Sequence, residues 1–492
     1  MKRIVLNLII MVCFVIPMFS QIIADFKVND MQGSSDQFYP SISLDGKGNF
    51  VIAWSDGRNE DRGIFAQRFS SEGAAIGPNF KVNDGEVLGN WGWPRIASDS
   101  IGNFVITWGD ERNFEGDVFA QRYSSEGLAL GDNFRVNDDN SDKRQYDPEI
   151  ATDYNGNFVI TWYDTRNGGY DVYAQRYLSN GTALGDNFKV NDGDPRGFHD
   201  GPSISTDGTG NFVITWTESR KYDFDIYAQR YSSDGAALSG NFKVNSLEFG
   251  DQDNPSISSD SNGNFIITWL TPAGANDGYD VYAQRYLSDG TALGDNFKAN
   301  DGDQGLELWG PSVSTDSNGN FMIYWNDGLF RDTSTIFAQR YSNNGSRIGN
   351  NFRITTTGTS IDAALWNERI YSTWNDFDRS NDIPGFDDIT SYDIWANVLS
   401  WDNPYGISEM QILAAYPIIR IFPNPTYNLL TIETENPNLC SIEITSLNGR
   451  LLLSDDVVGP IHQLDLSSFQ KGVYFITIRS KDFVTTEKII KL

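Results

Sequence analysis

Histidine and cysteine are almost missing from this chain: of 492 residues, two are His (His199 and His462) and two are Cys (Cys13 and Cys440). So few histidines exclude a His-based metal cluster or a proton relay recurring along the sequence. So few cysteines exclude a disulfide framework, and the fold must rest on its apolar core. Positive charge is scarce as well, 37 Lys and Arg against 66 Asp and Glu, a net charge of −29. Such a chain has no basic surface with which to displace the counterions of a nucleic acid, so no nucleic-acid partner is expected. Helical periodicity is absent beyond the N-terminus. The only long apolar run is Ile4–Met18, behind the basic pair Lys2 and Arg3. That pattern reads as a secretory signal peptide over residues 1–24, with cleavage after Ser20 or after Ala24. Cys13 lies inside the apolar run, after Val12, a poor context for lipid attachment. Once the leader is gone the chain carries about −31 and has no stretch long enough to span a membrane.

What the chain has in quantity is aromatic residues (13%), 46 glycines and a repeat. The stretch Asn157–Asn191 holds three alternating runs broken by Gly, Asn and Asp, the pattern of antiparallel strands. In Asn157–Trp162 the residues Phe158, Ile160 and Trp162 oppose Val159 and Thr161. In Asp171–Tyr177 the residues Tyr173, Gln175 and Tyr177 oppose Val172, Ala174 and Arg176. Both sides carry apolar groups, so both sheet faces should be buried. The closing tryptophan recurs at Trp54, Trp108, Trp162, Trp216, Trp269 and Trp325, with a weaker copy at Trp374, at spacings of 54, 54, 54, 53, 56 and 49 residues. An Ala-Gln-Arg triplet follows each of the first six, and Ala396-Asn397-Val398 replaces it in the seventh. A further run, Pro40-Ser41-Ile42-Ser43 and its copies Pro202–Ser205 and Pro311–Ser314, supplies an inner strand. About four short strands in some 54 residues is a propeller blade. The expected fold is all-β: a seven-bladed β-propeller of four-stranded blades over residues 25–400, then a small Ig-like β-sandwich. Residues 25–30 (DFKVND) match the last strand of a blade with nothing before them, and copy seven has no such strand after it. Phe26–Asn29 should therefore complete blade seven, removing an open sheet edge; Ile407–Leu413 is the rival.

Two features look site-like in one copy and structural when repeated. The turns Asp45–Asn49, Asp153–Asn157 and Asp316–Asn320 are rich in oxygen ligands, yet lack EF-hand spacing and its bidentate Glu. Asp, Asn and Gly are also what tight turns require, so no metal and no cofactor is expected. The acidic residues two positions after each tryptophan (Asp56, Asp110, Asp164, Glu218, Asp327, Asp376) need partners if buried. Arg68, Arg122, Arg176, Arg230, Arg285 and Arg340 of the triplets offer one per blade, as a blade-to-blade charge ladder.

The run Pro40-Ser41-Ile42-Ser43-Leu44-Asp45-Gly46-Lys47, then Asp56-Gly57-Arg58 and, in copy three, Asp171-Val172-Tyr173, resembles the TolB-type propeller repeat over residues 26–400. The Ala-Gln-Arg and Asn-Phe-Lys-Val-Asn elements depart from that pattern, so the resemblance carries over no functional residue. Residues 401–417 read as a linker. Beyond it, Phe422-Pro423-Asn424-Pro425, Leu430-Thr431-Ile432, Asn448-Gly449-Arg450-Leu451-Leu452, Leu464-Asp465-Leu466-Ser467 and Lys471–Ile476 resemble the type A C-terminal sorting domain of type IX secretion substrates, over 418–492. The resemblance implies the type IX machinery as a partner, with passage through the periplasm to the cell surface or medium. Removal of this domain and attachment at the surface commonly follow.

The loops entering each inner strand vary most and carry Trp91, Trp93, Tyr146, Phe198, His199, Phe249 and Trp309. They should open on one face of the disc. Trp91, Trp93, Phe198 and Trp309 are the candidate ligand-binding residues, as stacking platforms for a glycan or anchors for a protein. The alternative is that each plugs the top of a blade. Function divides likewise: a non-catalytic binding or adhesion module, or a polysaccharide-processing lyase or glycosidase. Close repetition favours the first, because catalysis needs residues that break the symmetry; the one asymmetric stretch is Arg196–Asp200 around His199.

Overall fold

The computed structural model describes residues 23–491 apart from 31–35, 59–62, 86–91, 112–115, 140–142, 193–196, 221–222, 247–249, 274–277, 302–307, 329–333, 356, 378–391, 403–418, 423–425, 435–439, 447–449, 458–460 and 480–483. The signal-peptide stretch and the rival strand Ile407–Leu413 thus lie outside the described residues. The chain falls into two compact units, Met1–Pro404 and Tyr405–Leu492. Among the described residues no helix is long and apolar enough to cross a membrane.

The first unit is a ring of seven four-stranded antiparallel sheets. Blade three serves as the reference. Its inner strand Gln145–Thr152 pairs with Phe158–Asp164, which pairs with Asp171–Tyr177, which pairs with a short outer strand Phe188–Lys189. Register places Trp162 opposite Tyr173 and Phe158 opposite Tyr177, and their rings stack. Both faces of the second strand are buried, as the double apolar alternation required. Each blade packs one face on the next: Val51, Ala53, Ile64 and Val82 of blade one meet Phe104, Ile106 and Trp108 of blade two. Trp54, Trp108, Trp162, Trp216 and Trp269 are wholly buried, and truncating such a side chain costs about 3–5 kcal/mol.

The outer run pairs for only two residues in blades one to five because its asparagines take over the ladder. Asn191 Oδ1 accepts the Val172 amide at 2.9 Å, and Asn187 donates to Gln175 Oε1 (2.8 Å) and, across to blade two, to the Val136 carbonyl (3.2 Å). The Gln of the Ala-Gln-Arg triplet is the fixed partner of this asparagine in six blades. Blade seven is closed by Ile23–Lys27, which pairs antiparallel with Tyr392–Ser400, Phe26 facing Ala396 and Lys27 facing Trp395. Asn29 Oδ1 accepts the Ile394 amide, and Lys27 meets Asp393 at 2.7 Å, as Lys189 meets Asp171. The chain start therefore supplies the outer strand that the seventh repeat lacks.

Among the described residues, Arg68, Arg176 and Arg230 do not form the charge ladder expected of the triplet arginines. Arg68 crosses to blade two but ends on the Ser125 and Glu126 carbonyls (2.7 and 2.6 Å). Arg176 and Arg230 reach the Ser233 and Ser288 carbonyls in the same way. The acids are satisfied locally instead: Asp164 accepts from Trp162 Nε1 (3.0 Å), the Arg166 amide (2.8 Å) and the Arg166 guanidinium (2.7 Å). A tryptophan N–H buried beside the carboxylate and an arginine two residues on leave no open valence for a distant partner. The Asp-rich turns are likewise self-contained: Asp153 accepts the Asn155 and Asn157 amides and the Asn157 side chain.

The second unit has two sheets. One holds Ile419–Phe422, Leu429–Thr434 and Ile461–Asp465; the other holds Leu451–Val457, Cys440–Ser446, Gly472–Arg479 and Val484–Lys491. Leu430, Ile432 and Leu464 of the first pack against Ile442, Ile444, Ile476 and Ile489 of the second, forming a small sandwich core.

Candidate functional site

Six of the seven inner strands enter the ring through one extra residue, and blade two has a positive φ at the same position without a register jump. In blade one the register jumps between Phe38 and Ser41, and equivalent bulges occur in blades three to seven. The residue at the bulge precedes proline in six blades and always has a positive φ: Tyr39 (54°), Trp93 (37°), Asp147 (46°), Gly201 (56°), Asn254 (53°), Gly310 (57°) and Ser360 (52°). A bulge re-aims one side chain out of the sheet alternation. Here all seven line a single axial cavity of about 560 Å³. The left-handed conformation costs a non-glycine residue about 1–2 kcal/mol, less for Asn and Asp. Glycine would fit all seven positions without strain, yet it occupies two.

One tier deeper, the residues at the position after the proline are Ser41, Arg95, Glu149, Ser203, Ser256, Ser312 and, in blade seven, Asp362. They stitch blades together around the channel. Ser203 Oγ accepts the Ile257 amide (3.3 Å) and Ser256 Oγ the Val313 amide (3.3 Å). Arg95 Nε donates to Glu149 Oε1 at 2.6 Å, linking blades two and three. Asp362 accepts from Ser41 Oγ, the Ile42 amide and Tyr324 Oη, closing blade seven on blade one. Arg95 and Glu149 keep 36% and 24% of their side-chain surface open, so the ion pair is wetted by the channel.

Two polar groups in the wall are left over. Among the described residues no donor hydrogen-bonds to the Asp147 carboxylate, which burial and the nearby Asp200 charge push up to about 7 against the opposing pull of Arg95. Asn326 is 1% exposed; its Nδ2 reaches the Trp309 carbonyl at 3.5 Å, and its Oδ1 has no partner. That oxygen has almost no accessible surface, and Gly310 lies against the amide, where a Cβ would sit 3.1 Å from Asn326 Nδ2. Burial and Asp251 also push Asp253, beside Asn254, up to about 6. Apolar surface comes from Trp309 and from Tyr39 and Trp93, whose rings meet edge to face at 5.9 Å.

The four residues singled out from sequence have three different placements. Trp93 and Trp309 come together in the cavity lining. Phe198 sits apart, with Tyr170 and Phe224 rings at 5.1 and 5.4 Å. Trp91 lies outside the described residues. His199 is 1% exposed, its Nδ1 2.6 Å from the Tyr170 carbonyl and its Nε2 3.6 Å from Glu218, so it is a packed interior residue. Sequence reasoning passed over Tyr39, Asp147, Asn254 and Asn326. The signal was available for three of them, as the one varying residue in front of an otherwise repeated Pro-Ser-Ile.

Residues 420–492 match the family of secretion system C-terminal sorting domains. The chain carries a type IX sorting domain. It is accordingly a protein secreted to the cell surface or exterior, and the propeller is its cargo. No curated protein matches the sequence. Among solved structures, the polysaccharide lyase Uly1 is similar at 10% identity over 76% of this chain and 91% of that one, with a TM-score of 0.47. The α-L-arabinofuranosidase of Fusarium graminearum is similar at 11% identity over 65% of this chain and 98% of that one, with a TM-score of 0.45. A protein of Dyadobacter fermentans gives 10% identity, 77% and 98% coverage and a TM-score of 0.44. Likeness this distant assigns no chemistry to the cavity.

Proposed function

We propose that this is a non-catalytic glycan-binding propeller, displayed on the cell surface or released, whose ligand enters the axial cavity between Tyr39, Trp93 and Trp309. The observation that carries this reading is the ring of positive φ. Tyr, Trp, Asp, Asn and Ser are held in a conformation that glycine adopts freely, and their side chains all face one cavity. Strain kept where it could be relieved is the mark of a working surface. Aromatic faces beside hydroxyl, amide and carboxylate groups suit a sugar ring, which has an apolar face and a polar edge. Export would use residues 1–24 as leader, 401–417 as linker and 418–492 as the sorting domain.

The test is a glycan array with the mature chain, parent against Trp93→Ala/Trp309→Ala. The proposal expects a discrete set of glycans bound by the parent and lost by the variant at unchanged melting temperature. Loss of melting temperature in the variant, with nothing bound by the parent, would instead make these side chains blade caps.

A second reading, a glycan-cleaving enzyme, has one observation in its favour: the Asp147 carboxyl at about 7, in the range of a general acid, with Asp200 beside it. Hydrolysis by the usual pair of carboxylates needs a second free one. In the cavity lining, Glu149 is committed to Arg95 and Asp362 to three donors from blades one and six. Binding is the better supported of the two. Release of reducing ends by the parent and none by Asp147→Asn would reverse that order.

A further inference from the structure

One carboxylate of the cavity lining is uncommitted: among the described residues no donor hydrogen-bonds to Asp147 in blade three. A ligand that sets a donor beside it gains a hydrogen bond that the fold leaves open. Charge narrows the choice further. The lining holds Asp147, Glu149 and Asp362 against the single cation Arg95, and that cation is already held by Glu149 at 2.6 Å. A uronate or sialate carboxylate would enter against net negative charge and find no free cation in the lining.

Resting on the glycan reading above, we propose that the cavity is specific for an amino sugar: a glycan unit whose free amino group is set against Asp147 and whose ring lies among Tyr39, Trp93 and Trp309. The ammonium supplies the positive charge that the acidic side of the cavity lacks. Tyr39, Trp93 and Trp309 supply aromatic surface for the ring and for the cation itself. A lysine side chain would bring the same ammonium, but on a thin stem that offers no ring face to the three aromatic side chains, so the glycan uses both features of the cavity and the peptide only one.

The test is calorimetric titration of the mature full-length chain near neutral pH with four probes: a glucosamine tetramer, its fully N-acetylated counterpart, a galacturonate tetramer and a lysine tripeptide. The glucosamine tetramer should bind about tenfold more tightly than the N-acetylated one, the worth of one charge-assisted hydrogen bond. Asp147→Asn should erase that difference without lowering the melting temperature. Galacturonate and trilysine should not bind measurably. Trp93→Ala/Trp309→Ala, which removes aromatic surface and leaves Asp147, should weaken both glucosamine forms alike. Equal affinity for the two forms, or a preference that survives Asp147→Asn, overturns the amino-sugar inference and leaves glycan binding standing. Trilysine binding as tightly as the glucosamine tetramer overturns it in favour of a peptide. No binding of any oligosaccharide by a chain that melts normally overturns both.

Discussion

The two ends of each blade obey different rules. At one end, six blades turn from inner to second strand through the same Asp-x-x-Gly-Asn hairpin, in which the aspartate caps two amides and the asparagine side chain. Blade seven alone uses a two-residue turn, Asn367–Glu368, both at positive φ. At the other end the backbone is just as uniform, seven entry residues with φ between 37° and 57°, yet the side chains are Tyr, Trp, Asp, Gly, Asn, Gly and Ser. Where the repeat keeps its residues, the turn aspartates and asparagines are bonded inside the fold. Where it keeps only its backbone, acceptors are left over and strain is tolerated. Uniform geometry with divergent chemistry is how a repeat scaffold builds one asymmetric site on its axis.

This contrast can be broken or sharpened experimentally. The largest effect should come from destroying the ring that both ends share. Deleting residues 25–30 removes most of the outer strand of blade seven, including Lys27 and its 2.7 Å contact with Asp393. Exposed sheet edge and apolar surface should then produce oligomers in size-exclusion chromatography and a loss of several kcal/mol in denaturant titration. Unchanged monomer with unchanged melting would refute closure by this strand. Next, Asp153→Ala at the hairpin end leaves three donors unmet and should cost about 1–3 kcal/mol with no effect on glycan affinity.

A smaller effect is tied to pH. The groups facing Asp147 are Asp200 and Glu149, which disfavour its charge, and Arg95, which favours it. With its folded pKa raised to about 7, Asp147 contributes stability that is complete below the unfolded carboxylate value and is lost as pH rises through 7. Asp147→Asn should therefore melt higher than the parent above that range, by about 1 kcal/mol after allowing for solvent at the site, and equally in acid. A parent whose advantage grows with pH would contradict the assignment. Smallest of all, Ser360→Gly should relieve left-handed strain and change stability by about 1 kcal/mol or less, in the stabilising direction if strain outweighs the added chain entropy.

The architecture was legible because its signals were local and repeated. Alternation in Asn157–Trp162 and Asp171–Tyr177, the recurring tryptophan and the orphan DFKVND each had one physical reading. Arginine partners were not legible, since a carboxylate's nearest donor is a matter of side-chain reach: Arg166, two residues away from Asp164, takes the place that Arg176 seemed to offer. For the cavity, loop aromatics drew attention while the decisive feature lay in backbone geometry. A Tyr, Trp, Asp or Asn before proline ordinarily reads as extended chain, and nothing in its identity announces a positive φ. Nor does sequence reveal that Asn326, one residue after a buried tryptophan, ends with an unpaired oxygen. Such a statement needs the neighbours as well as the residue.

The central claim is that side chains at the bulge ring are kept for a ligand and not for the fold. The most direct test is the triple variant Tyr39→Gly/Trp93→Gly/Asn254→Gly, measured for both stability and glycan affinity. Strain relief at three positions should roughly balance the lost edge-to-face contact and the added chain entropy, leaving stability within about 1 kcal/mol of the parent. Affinity for the glucosamine tetramer should disappear. A variant that loses several kcal/mol of stability would show instead that these side chains cap the ring, and the account of the cavity as a binding site would fail.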